Sequence, residues 1–274
     1  MPELPEVETV RKTLESLVLG KEIHEVRIGW PKMVKNPTEP QMFADSLKGE
    51  KINKIGRRGK FLIFYTDHYA LVSHLRMEGK YMLFQHDEPL DKHIHAVFQF
   101  TDGSELRYRD VRKFGTMHLY KRGTEFENSP LSGLGPEPFS VEFTKGLLSA
   151  RLKKTNRKIK AALLDQKILV GLGNIYVDEA LFRAGIHPER TASSLSDRET
   201  EELHREIVAT LQEAVEKGGS TIRSYINSQG EIGMFQLELN VYGRKNEPCN
   251  VCGRMIEKTV VGGRGTHYCP SCQR

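Results

Sequence analysis

Apolar positions recur with two different periods along the chain, and the change of period divides it. Val7, Val10, Leu14 and Leu17 follow helical spacing after Pro5, and Gly20 supplies a stop, so the chain opens with an amphipathic helix. From about Ile23 to Tyr120 the pattern is that of strands, with alternation in Phe61–Tyr65 and Ala96–Phe100 and a hairpin signal at Asp102-Gly103. Pro130 to Pro138, with Gly133, Gly135 and Pro136, reads as a linker. Helical spacing then returns over Ala161–Leu169, breaks at Gly171-Leu172-Gly173-Asn174, and resumes over Ile175–Ala184. Ser196-Asp197-Arg198-Glu199 is a capping box, and Leu203, Ile207 and Leu211 continue a core-facing helix that stops at Gly218-Gly219. Gly218 to Phe235 is polar and aperiodic, either a lid or an ordinary surface loop. An α+β, multidomain chain is expected, with β-structure first and helices after.

A chain of 274 residues is long enough for two domains with real cores. Hydrophobic content of 38 %, a mean hydropathy of -0.49 and the lack of any apolar run near ~18 residues argue against a membrane span. The acidic, proline-containing start lacks the basic and apolar regions of a secretion signal, which points to the cytoplasm. Net charge is +5, a bias that suits a polyanionic partner without requiring one. Six cations and no acid lie between Arg151 and Lys160. Taken alone, that run is as much a solvated helix face as a phosphate-binding one.

All four cysteines fall near the C-terminus, as Cys249-x-x-Cys252 and Cys269-x-x-Cys272 with sixteen residues between the pairs. Each pair places two thiolates on one tight turn, and two such turns complete a tetrahedral zinc shell around a small β-hairpin. Two disulfides are the alternative, which a reducing cytosol disfavours. Four protein thiolates leave no open position for water, so the metal is expected to be structural.

Met1-Pro2-Glu3-Leu4-Pro5-Glu6 holds the remaining chemistry. Loss of Met1 would leave Pro2 with a free secondary amine that titrates near pH ~8, well below a lysine side chain. Its adduct with an aldehyde-level carbon is an iminium, whose fixed charge is an electron sink for later bond cleavage. On these residues alone, a trimming signal before a proline-initiated helix is the commoner explanation.

Three stretches together shift that balance. The start PELPEVE, the run Val170-Gly171-Leu172-Gly173-Asn174-Ile175-Tyr176, and the finger with Gly262-Gly263-Arg264-Gly265-Thr266 resemble bacterial formamidopyrimidine-DNA glycosylase, in that family's order and over nearly the whole chain. The resemblance implies an N-terminal β-sandwich flanked by helices (1–134), a linker (135–150), a helix–two-turn–helix domain with a lesion-recognition loop (151–236), and a zinc-finger hairpin (237–274). It implies a monomeric base-excision repair enzyme that acts on double-stranded DNA containing oxidised purines or abasic sites. Such an enzyme excises 8-oxoguanine and formamidopyrimidines through a Pro2 Schiff base, then cuts the strand by β- and δ-elimination.

By the same resemblance Glu3 is the acid/base, Glu6 supports it, and Lys60 and Arg264 complete the catalytic set by holding phosphates at the lesion. Met77 would fill the void left by the everted nucleotide, Arg112 would pair with the orphaned cytosine, and Phe114 would wedge beside it. Asn174 and Lys160 would contact the backbone. His74, His93 and Arg109 fall in stretches resembling the DNA-facing surface, and Ser220, Thr221, Arg223 and Tyr225 in the lesion-recognition loop. Judged by residue type alone, Met77 and Phe114 would more often be core and the histidines satisfied structural groups. Two rivals remain: an endonuclease VIII-like glycosylase for oxidised pyrimidines, opposed by Arg112-x-Phe114, and a noncatalytic zinc-ribbon nucleic-acid-binding protein, opposed by Pro2, Glu3 and Lys60.

Overall fold

The computed structural model describes residues 1–85, 88–220 and 238–274. The described residues group into two compact units: Met1–Pro2 with Glu6–Ser132, and Glu3–Pro5 with Gly133–Ser220 and the residues from 238 onward.

Helix α1 runs Leu4–Val18, with Pro5 in its first turn, where a missing N–H removes no helical bond. It ends before Gly20, whose φ of +80° is the left-handed conformation that glycine adopts without strain. Two sheets follow. One has the order β1-β7-β8-β6, built from β1 (Ile23–Ile28), β7 (Ile94–Phe100), β8 (Ser104–Arg109) and β6 (Lys80–Gln85). The other has the order β2-β9-β5-β4-β3, from β2 (Val34–Asn36), β9 (Thr116–Lys121), β5 (Tyr69–His74), β4 (Phe61–Tyr65) and β3 (Lys54–Arg58). All pairings are antiparallel except β2 with β9. The hairpin at Asp102-Gly103 joins β7 to β8, with Gly103 at φ +85°.

One apolar core unites the sheets: Val26, Phe98 and Leu106 from the first, Ile55, Leu62, Phe64, Leu71 and Leu119 from the second. Val7, Val10, Leu14 and Val18 of α1 pack into the same cluster, as does Phe43 of α2 (Pro40–Leu47). The sandwich flanked by helices is therefore as expected. Strand β4 departs from the alternation read in its sequence, because Leu62, Ile63 and Phe64 are all buried. A strand covered on both faces loses its polar side.

The second unit is helical. Helix α3 (Lys145–Leu152) begins at Thr144, whose side chain accepts the Leu147 N–H at 3.1 Å. The interval 135–150, expected to be a linker, thus already contains most of a helix. Helix α4 covers only Ile159–Leu163, not Ala161–Leu169. The chain leaves the helix because side chains offer the backbone other partners. Asp165 accepts the Lys167 N–H, and the Gln166 side chain accepts the Gly171 N–H while donating to the Leu164 and Leu172 carbonyls. Helix α5 spans Asn174–Arg183, and α6 spans Asp197–Glu216 behind the expected capping box, present in both directions at Ser196 and Glu199. The hairpin of β10 (Glu257–Val261) and β11 (Arg264–Tyr268) completes the unit, turning at Gly262 (φ +57°) and Gly263 (φ +74°). Two successive positive φ values match the tight turn that strand twist favours.

Candidate functional site

In the first unit, the candidate residues lie at the start of the chain, at strand ends and at the turns beside them. Pro2 is buried and Met1 exposed. Glu6 is buried in the first turn of α1. Lys60 follows Gly59 (φ +56°) at the β3–β4 turn and is 6 % exposed. Next to it, Phe61 meets the His74 ring edge-on at 4.5 Å between centroids.

His74 is buried, and its Nδ1 accepts the Arg76 N–H at 2.9 Å. A backbone N–H can only donate, so the neutral ring carries its proton on Nε2. Burial, followed by the charges of Arg76 and Lys60, pulls its pKa down to about 3. His74 therefore shapes the turn that carries Met77 and remains neutral near pH 7.

Met77 is 38 % exposed and Phe114 51 %, so neither is the core residue that residue type alone favours. Both lie on turns outside the strands, where Arg76 (φ +53°) and Lys113 (φ +57°) take left-handed conformations. The Arg112 guanidinium lies over the Phe114 ring at 4.8 Å. Arg109 pairs with Asp91, which also accepts the His93 N–H.

The second unit collects a different set. The Glu3 carboxylate is buried and accepts the Ile175 N–H at 3.0 Å and the Tyr176 N–H at 3.5 Å, at the free end of α5. Helix N-terminal amides, which have no partner within the helix, complement a negative charge. Gly173 makes that position possible, because a Cβ on it would fall 2.2 Å from the Glu3 carboxyl carbon.

Lys160 departs from its expected role. It is wholly buried, 2.7 Å from Asp178 Oδ1, and its Nζ donates to the Gly265 carbonyl at 3.1 Å. Desolvation pulls its pKa below the ordinary lysine value even with Asp178 beside it. Its ammonium group is thus engaged by protein groups and turned inward from α4 against the hairpin. Asn174 Nδ2 donates to the same Gly265 carbonyl at 2.9 Å. Asp178 also accepts the His267 N–H at 2.9 Å. These contacts grip β11 at Gly265 and His267 and leave Arg264, at its start, exposed.

The four cysteine Sγ atoms lie within 4.8 Å of one another, with Cys249 to Cys272 at 3.9 Å and Cys252 to Cys269 at 3.5 Å. A tetrahedral Zn–S shell with bonds of about 2.3 Å requires sulfur separations of about 3.8 Å, whereas a disulfide needs about 2.05 Å. The thiols are free and spaced as metal ligands. The Arg254 amide lowers the pKa of the Cys252 thiol, whereas burial raises those of Cys269 and Cys272.

Ser220 is buried at the end of the described segment. Thr221, Arg223 and Tyr225 lie outside the described residues.

Three family profiles cover the chain in order: the formamidopyrimidine-DNA glycosylase N-terminal domain over residues 1–117, the H2TH domain of the same enzymes over 134–226, and the zinc finger found in FPG and IleRS over 246–274. The chain belongs to the formamidopyrimidine-DNA glycosylase family. It is 69 % identical to the formamidopyrimidine-DNA glycosylase of Bacillus licheniformis over 274 residues, covering 100 % of both chains. With the Bacillus subtilis protein of that name it is 67 % identical, covering 100 % of this chain and 99 % of the other. Among solved structures it is similar to the Lactococcus lactis Fpg in complex with abasic-site DNA, with a TM-score of 0.93 and 45 % identity over 99 % of each chain. It is equally similar to wild-type Lactococcus lactis Fpg with N7-benzyl-Fapy-dG DNA, at a TM-score of 0.92 and 45 % identity over 100 % of each chain.

As a member of this family it is a base-excision DNA glycosylase and AP lyase, and its cysteine cluster is the site of one structural zinc. Among the described residues no helix is long and apolar enough to cross a membrane. Sequence reading missed Asp178, whose one signal was an acid on the helix following a basic run. It also missed Asp110 and Tyr108, which lie beneath the Arg112 turn.

Proposed function

We propose that the enzyme excises 8-oxoguanine and formamidopyrimidines from double-stranded DNA with Pro2 as nucleophile, once Met1 is removed. While Met1 remains attached, the Pro2 nitrogen is a tertiary amide without usable nucleophilicity. Freed, its lone pair attacks C1′ of the everted nucleoside, the C1′–N bond breaks, and the base leaves with a proton. Opening of the sugar ring with protonation of O4′ gives the Pro2 iminium. Loss of a C2′ proton then expels the 3′ phosphate, δ-elimination expels the 5′ phosphate, and water releases Pro2 from the remaining sugar fragment.

The observation that carries this reading is the seat of Glu3. A buried carboxylate next in sequence to Pro2, held by the amides at the start of α5 with Gly173 clearing its space, is a fixed group for moving protons at the sugar. Glu6 supports it from the first turn of α1. Lys60 and Arg264 hold the phosphates flanking the lesion, and Asn174 fixes the hairpin while its own helix start faces the backbone. Met77 fills the vacated stack, Arg112 offers donors to the orphaned cytosine, and Phe114 wedges the neighbouring step. His93 and Arg109 are assigned to DNA contact, and Ser220, Thr221, Arg223 and Tyr225 to recognition of the damaged base. His74 acts through the Met77 turn. The enzyme works in the bacterial cytoplasm, on the nucleoid when bound to DNA, where reducing conditions keep its cysteines available to zinc.

Borohydride trapping tests the assignment. Protein with a free Pro2 is incubated with duplexes bearing 8-oxoguanine opposite cytosine or an oxidised pyrimidine, and the adduct is mapped by peptide mass. An adduct on Pro2 with the purine lesion is expected, and none from protein retaining Met1. An adduct on Lys60 would overturn the nucleophile, and preference for the pyrimidine lesion would overturn the substrate.

A further inference from the structure

Beneath the two exposed turns lies a buried polar pair that the reaction itself does not use. Asp110 is 1 % exposed and directly follows β8. Its Oδ1 accepts the Arg112 N–H at 3.1 Å, and its Oδ2 accepts the Phe114 N–H at 2.9 Å and the Gly115 N–H at 2.8 Å. One carboxylate thus fixes three amides of a six-residue turn. The residue itself is pinned at both ends of its peptide unit. Its N–H donates to the His93 carbonyl at 2.9 Å, and its carbonyl accepts from His95 Nε2 at 2.8 Å.

Tyr108, also 1 % exposed, extends the arrangement to the second turn. Its hydroxyl makes a long hydrogen bond to Asp110 Oδ2 at 3.5 Å. The same hydroxyl occupies the space beside two glycines. A Cβ on Gly115 would fall 1.7 Å from it and a Cβ on Gly79 2.2 Å. Gly115 closes the turn bearing Arg112 and Phe114. Gly79 closes the turn bearing Met77, donating its N–H to the Leu75 carbonyl at 2.9 Å. Tyr81 meets the Tyr108 ring edge-on at 5.0 Å and fixes its direction through a hydroxyl bond to Ser73 at 2.7 Å.

We propose that Asp110 and Tyr108 are positioning residues that hold the Met77 turn and the Arg112–Phe114 turn as one body. A duplex then meets Met77, Arg112 and Phe114 at a set spacing. The inference rests on the reading of those three side chains as the residues inserted into DNA. Its physical basis is pre-organisation: both turns contain a non-glycine residue at positive φ, a conformation that persists only where surrounding contacts enforce it. Without the carboxylate, three amides lose their acceptor and the turn relaxes toward other conformers. The inserted groups would then arrive misplaced, and an ångström of misplacement is enough to slow a reaction by up to about a hundredfold.

Asp110→Asn and Tyr108→Phe test the idea in single-turnover excision of 8-oxoguanine opposite cytosine and opposite adenine. Cleavage of a single-stranded abasic site, which has no stack to fill and no orphaned base, is measured beside them. Asp110→Asn is expected to slow excision from the cytosine duplex at least about tenfold, narrow the cytosine-over-adenine preference, and leave single-stranded cleavage within about twofold. Tyr108→Phe should move the same readouts in the same direction by about threefold. Unchanged duplex excision overturns the proposal, as does equal loss on duplex and single strand, since a general structural defect moves both. Should Asp110→Asn fail to fold, Tyr108→Phe, which removes one oxygen, decides alone. Met77→Ala and Arg112→Ala serve as controls. If they slow duplex excision and the positioning variants do not, the positioning claim alone is wrong; if they do not, the insertion reading fails and the proposal with it.

Discussion

Arg112 lies on a short turn and Arg264 directly after one, but the supports beneath them are of opposite kinds. The Arg112 turn rests on a sandwich whose two sheets and α1 share one apolar cluster, and a single buried carboxylate shapes it. The Arg264 turn rests on a hairpin whose own cluster comprises Phe182, Val241, Cys249, Ile256 and Cys269, two of them metal ligands. What holds that hairpin in place is a set of polar contacts: Lys160 and Asn174 on the Gly265 carbonyl, and Asp178 on the His267 amide. Each large apolar side chain buried in the sandwich contributes about 1.5–3 kcal/mol. A finger with so few cannot reach the same stability from burial, and charge and metal must supply it. The two supports should therefore fail under different insults.

The largest separation should come from zinc removal. Structural zinc contributes about 10–16 kcal/mol in isolated fingers, so a thiol-directed chelator should unravel the hairpin, disorder Arg264 and abolish DNA binding. The sandwich should stay folded, as read by amide exchange in β1–β9. Unchanged DNA affinity after metal analysis has confirmed zinc loss would erase the contrast.

A smaller effect on the same side should follow from Lys160→Met. It leaves Asp178 buried without its cation, which should cost about 3–5 kcal/mol, seen as a lower Tm of the helical unit. Adding Asp178→Leu should restore part of that loss, because no charge then remains unpaired. A Tm unmoved by the single substitution would mean that the pair does not hold the hairpin.

The sandwich should respond to acid instead, and more mildly. Burial holds His74 down to about 3 and His118 to about 4, against 6.5 in an unfolded chain. As pH falls through 6.5 the unfolded chain takes up protons that the folded one refuses, so stability declines below 6.5 and keeps declining toward the folded values. For His74 the loss should reach up to about 2 kcal/mol by about pH 5. His74→Gln should flatten the urea midpoint of the sandwich between about pH 7 and pH 5; an unaltered slope would show that His74 does not titrate as its burial implies.

Legibility in the sequence divides along the same line. The cysteine finger could be read from spacing because a metal shell imposes short-range rules on ligand positions. The capping box at Ser196, the start of α1, and the Asp102-Gly103 hairpin were readable for the same reason, since each is settled within four or five residues. The length of α4 was not, because Asp165 and Gln166 divert the backbone toward partners beyond the helical repeat. The fate of Lys160 was equally hidden. A basic run looks like a phosphate surface until α4 turns this one cation inward onto Asp178 and Gly265.

Met77 and Phe114 show the reverse error. Residue type favours the core for both, and their exposure follows from turn conformations that the residue list does not reveal. By itself, the sequence determined the order of β and helical regions, the metal shell and the family, because these depend on local periodicity, fixed spacing and motif order. Only the tertiary structure decided which polar groups serve as ligand-facing chemistry and which as internal supports. Gly173 clears room for Glu3, Asp110 holds a turn and Lys160 is withdrawn from the surface through contacts that range from neighbours in the chain to residues more than a hundred positions away. A side chain's role depends on whether water or protein surrounds it, and that is settled only when distant segments pack.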